Sequence, residues 1–290
     1  MSELLILTTI AMAATPLAFA ALGELVTERA GVLNLGVEGM MLMGAVCGFI
    51  AVASGAHWIV GAMVGALAGA ALASLFALLV LGLAANQVAS GLALTIFGTG
   101  LSALIGSEYV GTPVDKIPAI VMGLDPMVFL VLALGLGITL WLRRTRRGLV
   151  LRAVGENAEA AHAHGHPVLR VRLAAILFGG AMSGLGGAYL SLAYTPLWAE
   201  GMTAGRGWIA LALVVFGAWR PGRLLIGAYL FGSVGVLQLH AQSSGALAIP
   251  SEVLSMLPYL ATIAVLALLS TPGLQRSAPA ALGRPFRASH

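Results

Sequence analysis

The chain predicts an all-α polytopic membrane protein, and three observations carry that expectation. Apolar residues fill 59% of the 290 positions and charged residues only 9%, against about 25% charged in an ordinary soluble domain. Nine apolar stretches recur along the sequence, several of them reaching the roughly 20 residues that an α-helix needs to cross a bilayer. The arginines gather on alternate connections, as they do where basic loops stay in the cytoplasm.

The stretches fall at about 4–23, 30–53, 57–83, 86–106, 124–142, 171–194, 207–219, 222–240 and 254–271. The first lacks a basic leading region and a small-residue cleavage site, and reads as a retained span. The second carries Asn34 and Glu38, four residues apart and so on one helix face. Glu38 is the only carboxylate placed well inside an apolar segment. It is either a cavity-lining or gating group, or a carboxyl hydrogen-bonded to an adjacent helix backbone. The third stretch has Gly61, Gly65 and Gly69 at four-residue spacing, a small-residue stripe for close helix packing. Gly44 with Gly48, and Gly180 with Gly184, repeat it. Asn86, Gln87 and Ser90 open the fourth, where Asn86 can cap the helix. The seventh stretch is short for a full crossing and reads as a broken or re-entrant piece. Trp198 and Trp208 lie at expected span ends, as interfacial anchors do.

Orientation follows from charge. Arg143, Arg144, Arg146, Arg147, Arg152, Arg170 and Arg172 make the most basic connection, which belongs in the cytoplasm. Alternating outward from it places thirteen of the fifteen basic residues inside, leaving Lys116 and Arg206 outside. That pattern predicts about nine crossings, range eight to ten, with the N-terminus outside and the C-terminus cytoplasmic. The same rule accounts for the net charge of +4, so no nucleic-acid partner is implied. The single Cys47 leaves no intrachain disulfide. One transmembrane domain is expected over 1–275, with a cytoplasmic loop at about 143–170. The Pro-, Ala- and Arg-rich residues 276–290 are expected to form a mobile cytoplasmic tail.

The cytoplasmic loop contains Gly155-Glu156-Asn157-Ala158-Glu159-Ala160-Ala161, then His162, His164, Gly165, His166 and Pro167. Asn157 can cap a short helix, alanines propagate it, and Gly165 with Pro167 ends it. The three histidines do not predict a metal site, because Gly165 interrupts the face that His162 and His166 would share.

Glu159-Ala160-Ala161-xxx-Gly165 matches the EAA-xxx-G loop of ABC-importer permeases. Glu28-Arg29-Ala-Gly31-Val-Leu-Asn34-Leu-Gly36-Val-Glu38-Gly39-Met40-Met41 and Gly205-Arg-Gly207-Trp208 through Phe216-Gly217-Ala-Trp219-Arg-Pro221 resemble two further signatures. On these residues the chain resembles the branched-chain amino acid/ribose-type permease family. Within that family it is most similar to the permeases of nucleoside importers that work with lipoprotein binding proteins.

The resemblance implies the architecture of the ribose/vitamin B12-type importers, with halves related as inverted repeats, in a bacterial plasma (inner) membrane. It implies a transport subunit that is not itself an enzyme and binds no cofactor, with ATP and Mg on partner ATPase subunits. The chain has no Gly-xxxx-Gly-Lys-Ser/Thr phosphate loop, which fits that division of labour. Further partners implied are a second, distinct permease and an extracytoplasmic substrate-binding protein. Glu156, Asn157, Glu159, Ala160, Ala161 and Gly165 would couple the permease to the ATPase. Asn34, Glu38, Asn86 and Gln87 are the polar candidates for the translocation path of a nucleoside or related small polar solute. Ala158 departs from the group's pattern, where proline is common. Two other functions compete: an ion-coupled secondary transporter built on Glu38, and, remotely, an intramembrane serine protease using Ser183 and His240.

Overall fold

The computed structural model describes residues 3–244, 256, 260 and 278–286. Those residues form ten α-helices and no strand, with isolated bridges between connections. In order they are α1 (Glu3–Arg29), α2 (Val37–Ala53), α3 (Trp58–Ala77), α4 (Gln87–Gly106), α5 (Pro126–Arg144), α6 (Arg146–Glu156), α7 (Ala158–Ala163), α8 (Val168–Tyr189), α9 (Arg206–Phe216) and α10 (Pro221–Ser244). The first eight apolar stretches each hold one helix; the ninth lies outside the described residues except for Met256 and Leu260. Five helical segments among the described residues are long and apolar enough to cross a membrane: Leu5–Arg29, Trp58–Gly82, Gln87–Tyr109, Pro126–Arg144 and Val168–Tyr194. The second and fifth of these finish in π-helical turns at Leu78–Gly82 and Leu190–Tyr194.

Helix α8 is the hub, packed against α1, α2 and α3. The glycine stripes explain why. Gly44 of α2 and Gly65 and Gly69 of α3 meet Gly180 and Gly184 of α8 backbone to backbone, and a Cβ on Gly65 would stand 2.8 Å from the Gly44 carbonyl oxygen. Small residues let helices approach until dispersion holds them, which is how helices associate where lipid is as apolar as the side chains. The bilayer-facing side is the opposite: Leu67, Ile96, Leu104, Leu136 and Ile226 point outward, each at least half exposed.

The seventh stretch is a half-helix. Its 11 residues reach roughly 16 Å, about half of a hydrocarbon core of about 30 Å. Helix α2 also starts deep, because Thr95, near the middle of α4, donates to the Leu35 carbonyl at 2.9 Å. The chain therefore enters the bundle in non-helical form at 30–36 and again at 195–205, and both segments lead into helix N-termini that meet.

Two sequence expectations are corrected here. Trp198 is not an interfacial anchor; it is fully buried against Gly106, because the 107–125 connection runs along it, with Gly111 N–H donating to its carbonyl at 3.2 Å. The tail, expected to be mobile from 276, is docked over 278–286. Ala281 N–H donates to Gly155 O at 2.9 Å, Gly283 N–H to Gly31 O at 3.3 Å, and Arg172 Nη1 to Arg284 O at 3.0 Å. A buried guanidinium and open backbone carbonyls at the helix ends gave this polar segment partners that composition does not reveal.

Candidate functional site

Glu38 lies at the junction of the two broken segments. Its Oε1 accepts from Thr203 Oγ1 at 2.6 Å and Gly205 N–H at 2.8 Å, and Oε2 accepts from Gly207 N–H at 2.6 Å. Gly205 and Gly207 open α9, so the carboxylate satisfies donors that a helix start leaves unpaired, and it also sits in the first turn of α2. Two positive helix ends therefore face one negative group. Gly207 is obligatory for the approach: a Cβ there would stand 2.6 Å from both Glu38 Cα and N. Arg206, expected outside, is part-buried here. It donates to the Met202 and Thr203 carbonyls at 3.1 and 3.2 Å and lies 5.7 Å from the Tyr194 ring centre.

The non-helical segment before α2 is held the same way. Leu33 N–H donates to Gln87 Oε1 at 2.8 Å and Asn34 N–H to Glu24 Oε1 at 3.0 Å. Asn34 is fully buried; its Oδ1 accepts from Gly36 N–H at 2.9 Å, and its Nδ2 lies 3.4 Å from Met40 Sδ. Asn86 is exposed and caps α4, its Oδ1 accepting from Ala89 N–H at 3.0 Å. It lines a cavity of about 270 Å³ at the start of α4 with Gln87, Gly283 and Pro285. Asn34 and Gln87 thus hold the non-helical backbone before α2 and Glu38 holds that before α9, while Asn86 is exposed at the start of α4. Non-helical backbone survives at membrane depth only where it is buried in protein or lines a water-filled cavity.

Glu38 is not the only deeply buried carboxylate, which corrects the sequence reading. Glu24 and Glu28 of α1 are 0% and 2% exposed. They lie near the basic end of the first span, where an apolar count overlooks them. Glu28 Oε2 accepts from the Trp219 indole N–H at 2.6 Å, and Arg29 donates to the Trp219 carbonyl through Nε at 3.2 Å and Nη2 at 2.9 Å. Ala218 and Trp219 are both left-handed, φ 49° and 54°, and α1 clamps this turn between α9 and α10. Neighbouring Glu28-Arg29 with a distant tryptophan was the signal in the sequence.

At the basic end, α6 and α7 form a hairpin. Asn157 caps α7, Oδ1 accepting from Ala160 N–H at 2.9 Å, and the left-handed Gly165 (φ 81°) ends the turn beyond it. The helix starts at Ala158 without a proline, because Ala158 and Ala161 bury against Val154, Val168 and Phe286. Glu159, Ala160 and Ala163 face outward, and Glu159 has no protein partner among the described residues. Glu156 accepts from Ala280 N–H at 3.4 Å. The histidines diverge: His162 lies edge-on to Phe286, His164 Nδ1 is 2.8 Å from Ala160 O, and His166 borders a groove. Ser183 Oγ is buried and donates to Gly179 O at 2.9 Å on its own helix, whereas His240 is exposed on α10.

The model of the branched-chain amino acid transport system/permease component family matches residues 6–266. The chain belongs to that family. The permease is 42% identical to a glucose ABC transporter permease protein of Haloferax volcanii, the match covering 93% of each chain. It is 32% identical to the nucleoside ABC transporter permease NupC of Lactococcus lactis subsp. cremoris, over 88% of each. To the guanosine ABC transporter permease NupQ of Bacillus subtilis it is also 32% identical, over 94% of the permease and 93% of the relative. In solved structures it resembles a metal-chelate type ABC transporter in an inward-facing conformation, with a TM-score of 0.54, 18% identity and coverage of 91% and 86%. At that identity the likeness is one of fold. The permease is therefore a membrane-spanning ABC transporter subunit of all-α architecture.

Proposed function

We propose that this chain is one of two permeases in an ATP-driven importer of an uncharged, hydroxyl-rich solute, a nucleoside or a sugar. The face of α7 supports this most directly. It presents Glu159, which has no protein partner among the described residues, beside the small exposed Ala160 and Ala163 at the arginine-rich end, backed by buried Ala158 and Ala161. A short capped helix with a small-residue outer face suits insertion into a cleft of an ATPase subunit. Its anchorage carries motion inward: Gly155 and Glu156 bond the tail, the tail bonds Gly31 and Arg172, and Gly31 leads into the segment before α2.

ATP and Mg would be bound by the partner ATPases, and solute would be delivered by an extracytoplasmic binding protein to the interface with a second permease. The arginine-bearing face would be cytoplasmic, in a plasma membrane. Relatives named for glucose and for nucleosides share a polyhydroxylated sugar as substrate or substrate part, which favours hydroxyl recognition over charge. Glu38, on which an ion-coupled carrier would depend, already serves three donors.

Co-purification of the tagged chain in mild detergent tests the assembly, and reconstituted uptake of labelled guanosine, uridine and glucose tests the solute. A stoichiometric ATPase with ATP-dependent uptake is expected. A chain that purifies alone, under conditions that keep other ABC complexes intact, would sink the proposal. In the intact complex, Glu159→Ala should assemble but lose coupling of hydrolysis to uptake.

A further inference from the structure

Helices α5, α6 and α8 leave a groove of about 770 Å³ between them, with Val26 of α1 at its floor. That volume lies within the range of roughly 300–1,000 Å³ for small-molecule pockets. Its walls are apolar, among them Leu134, Ile138, Trp141 and Phe178. At its mouth stand Arg146, Arg147 and Arg170, all exposed. Among the described residues no acidic side chain lines the groove, and none of the three guanidinium groups has a protein partner. From Arg170 to Phe178 the groove follows eight residues of α8, about 12 Å of helix. That depth is close to one leaflet, about half of a ~30 Å hydrocarbon core.

We propose that this groove is a binding site for one anionic phospholipid of the leaflet at the arginine-bearing face. An acyl chain lies along α5 and α8 beside Trp141, and the phosphate is held by Arg146, Arg147 and Arg170. The planar guanidinium fork matches a phosphodiester, and basic clefts between spans at the cytoplasmic side suit anionic headgroups. A helical partner would answer the three arginines only if acidic side chains stood at the right places on it. The lipid supplies an apolar chain and a fixed negative charge at the spacing the groove offers. The docking face of α7 is separate, since Glu159 and Ala160 do not line the groove. The proposal needs the chain to span a membrane, and does not depend on which solute it carries.

The test is native mass spectrometry of the whole transporter complex released from nanodiscs of equal phosphatidylglycerol and phosphatidylcholine. Two variants accompany the native chain. One is Arg146→Ala with Arg147→Ala and Arg170→Ala. The other is Gly137→Trp, which fills the groove from a position whose Cβ would meet nothing within 4 Å. The native complex is expected to retain phosphatidylglycerol over phosphatidylcholine, with each arginine worth about fivefold in retention. Both variants should lose the preference. If the triple variant fails to assemble, Gly137→Trp decides alone. Equal retention of both lipids by the native complex overturns the site, as does phosphatidylglycerol retention by Gly137→Trp. Because retention is read without uptake, a failed transport assay leaves this result standing.

Discussion

Glu38 and Glu159 carry the same side chain and live in opposite circumstances. Glu38 is 7% exposed and accepts three hydrogen bonds from the start of α9. Glu159 is exposed on α7, with no protein partner among the described residues. The interior carboxylate is consumed by architecture, because α2 and α9 both start at membrane depth and the start of α9 leaves donors that this carboxylate satisfies. The surface carboxylate contributes little to the fold, which leaves it open to another molecule. A charge buried in a membrane bundle is commonly taken as a functional site; here its three donors tie Glu38 to the scaffold.

That contrast can be broken in order of expected effect. Glu38→Ala leaves two buried donors and one part-buried donor unmet and should destabilise the chain by about 3–5 kcal/mol. Unfolding in mixed micelles measures this, and an unchanged midpoint would remove Glu38 from the scaffold. Gly207→Ala forces a methyl against the Glu38 backbone and should lower stability by about 1–3 kcal/mol, with Glu38 still present. Ending the chain after residue 277 strips hydrogen bonds from Gly155, Gly31 and buried Arg172. A loss of about 1–2 kcal/mol is expected, with faster amide exchange in α6 and α7; unaltered exchange there would show that the tail does not brace the hairpin. Glu159→Ala should shift stability by no more than about 0.5 kcal/mol, while ATP-driven uptake falls sharply. Normal uptake by that variant would remove α7 from the coupling role.

Much of the bundle was legible because apolar length and arginine phase are local properties. The short helix between Asn157 and Gly165 was legible too, since a cap, alanines and a terminating glycine act within one another's reach. The half-length of α9 could be suspected from the brevity of 207–219. The partners of Glu38 could not, because Thr203, Gly205 and Gly207 lie more than 160 residues away. Glu24 and Glu28 escaped notice for a related reason: near a span's end, sequence alone cannot distinguish a solvated carboxylate from one covered by a distant tryptophan. The tail failed on composition, which registers a lack of apolar residues and is blind to unmet carbonyls elsewhere.

By itself the sequence determined that this chain is a membrane bundle, which ends of its helices carry the arginines, and which short helix stands ready at that end. Those properties follow from hydrophobic length, charge phase and capping, all set within a few residues. Only the tertiary structure decided that Glu38, Asn34 and Gln87 hold up buried backbone, that the tail locks the hairpin to α1 and α8, and that three arginines crown an apolar groove. Each of these depends on donors and acceptors brought together from distant parts of the chain, where the need for a partner arises only once water is gone.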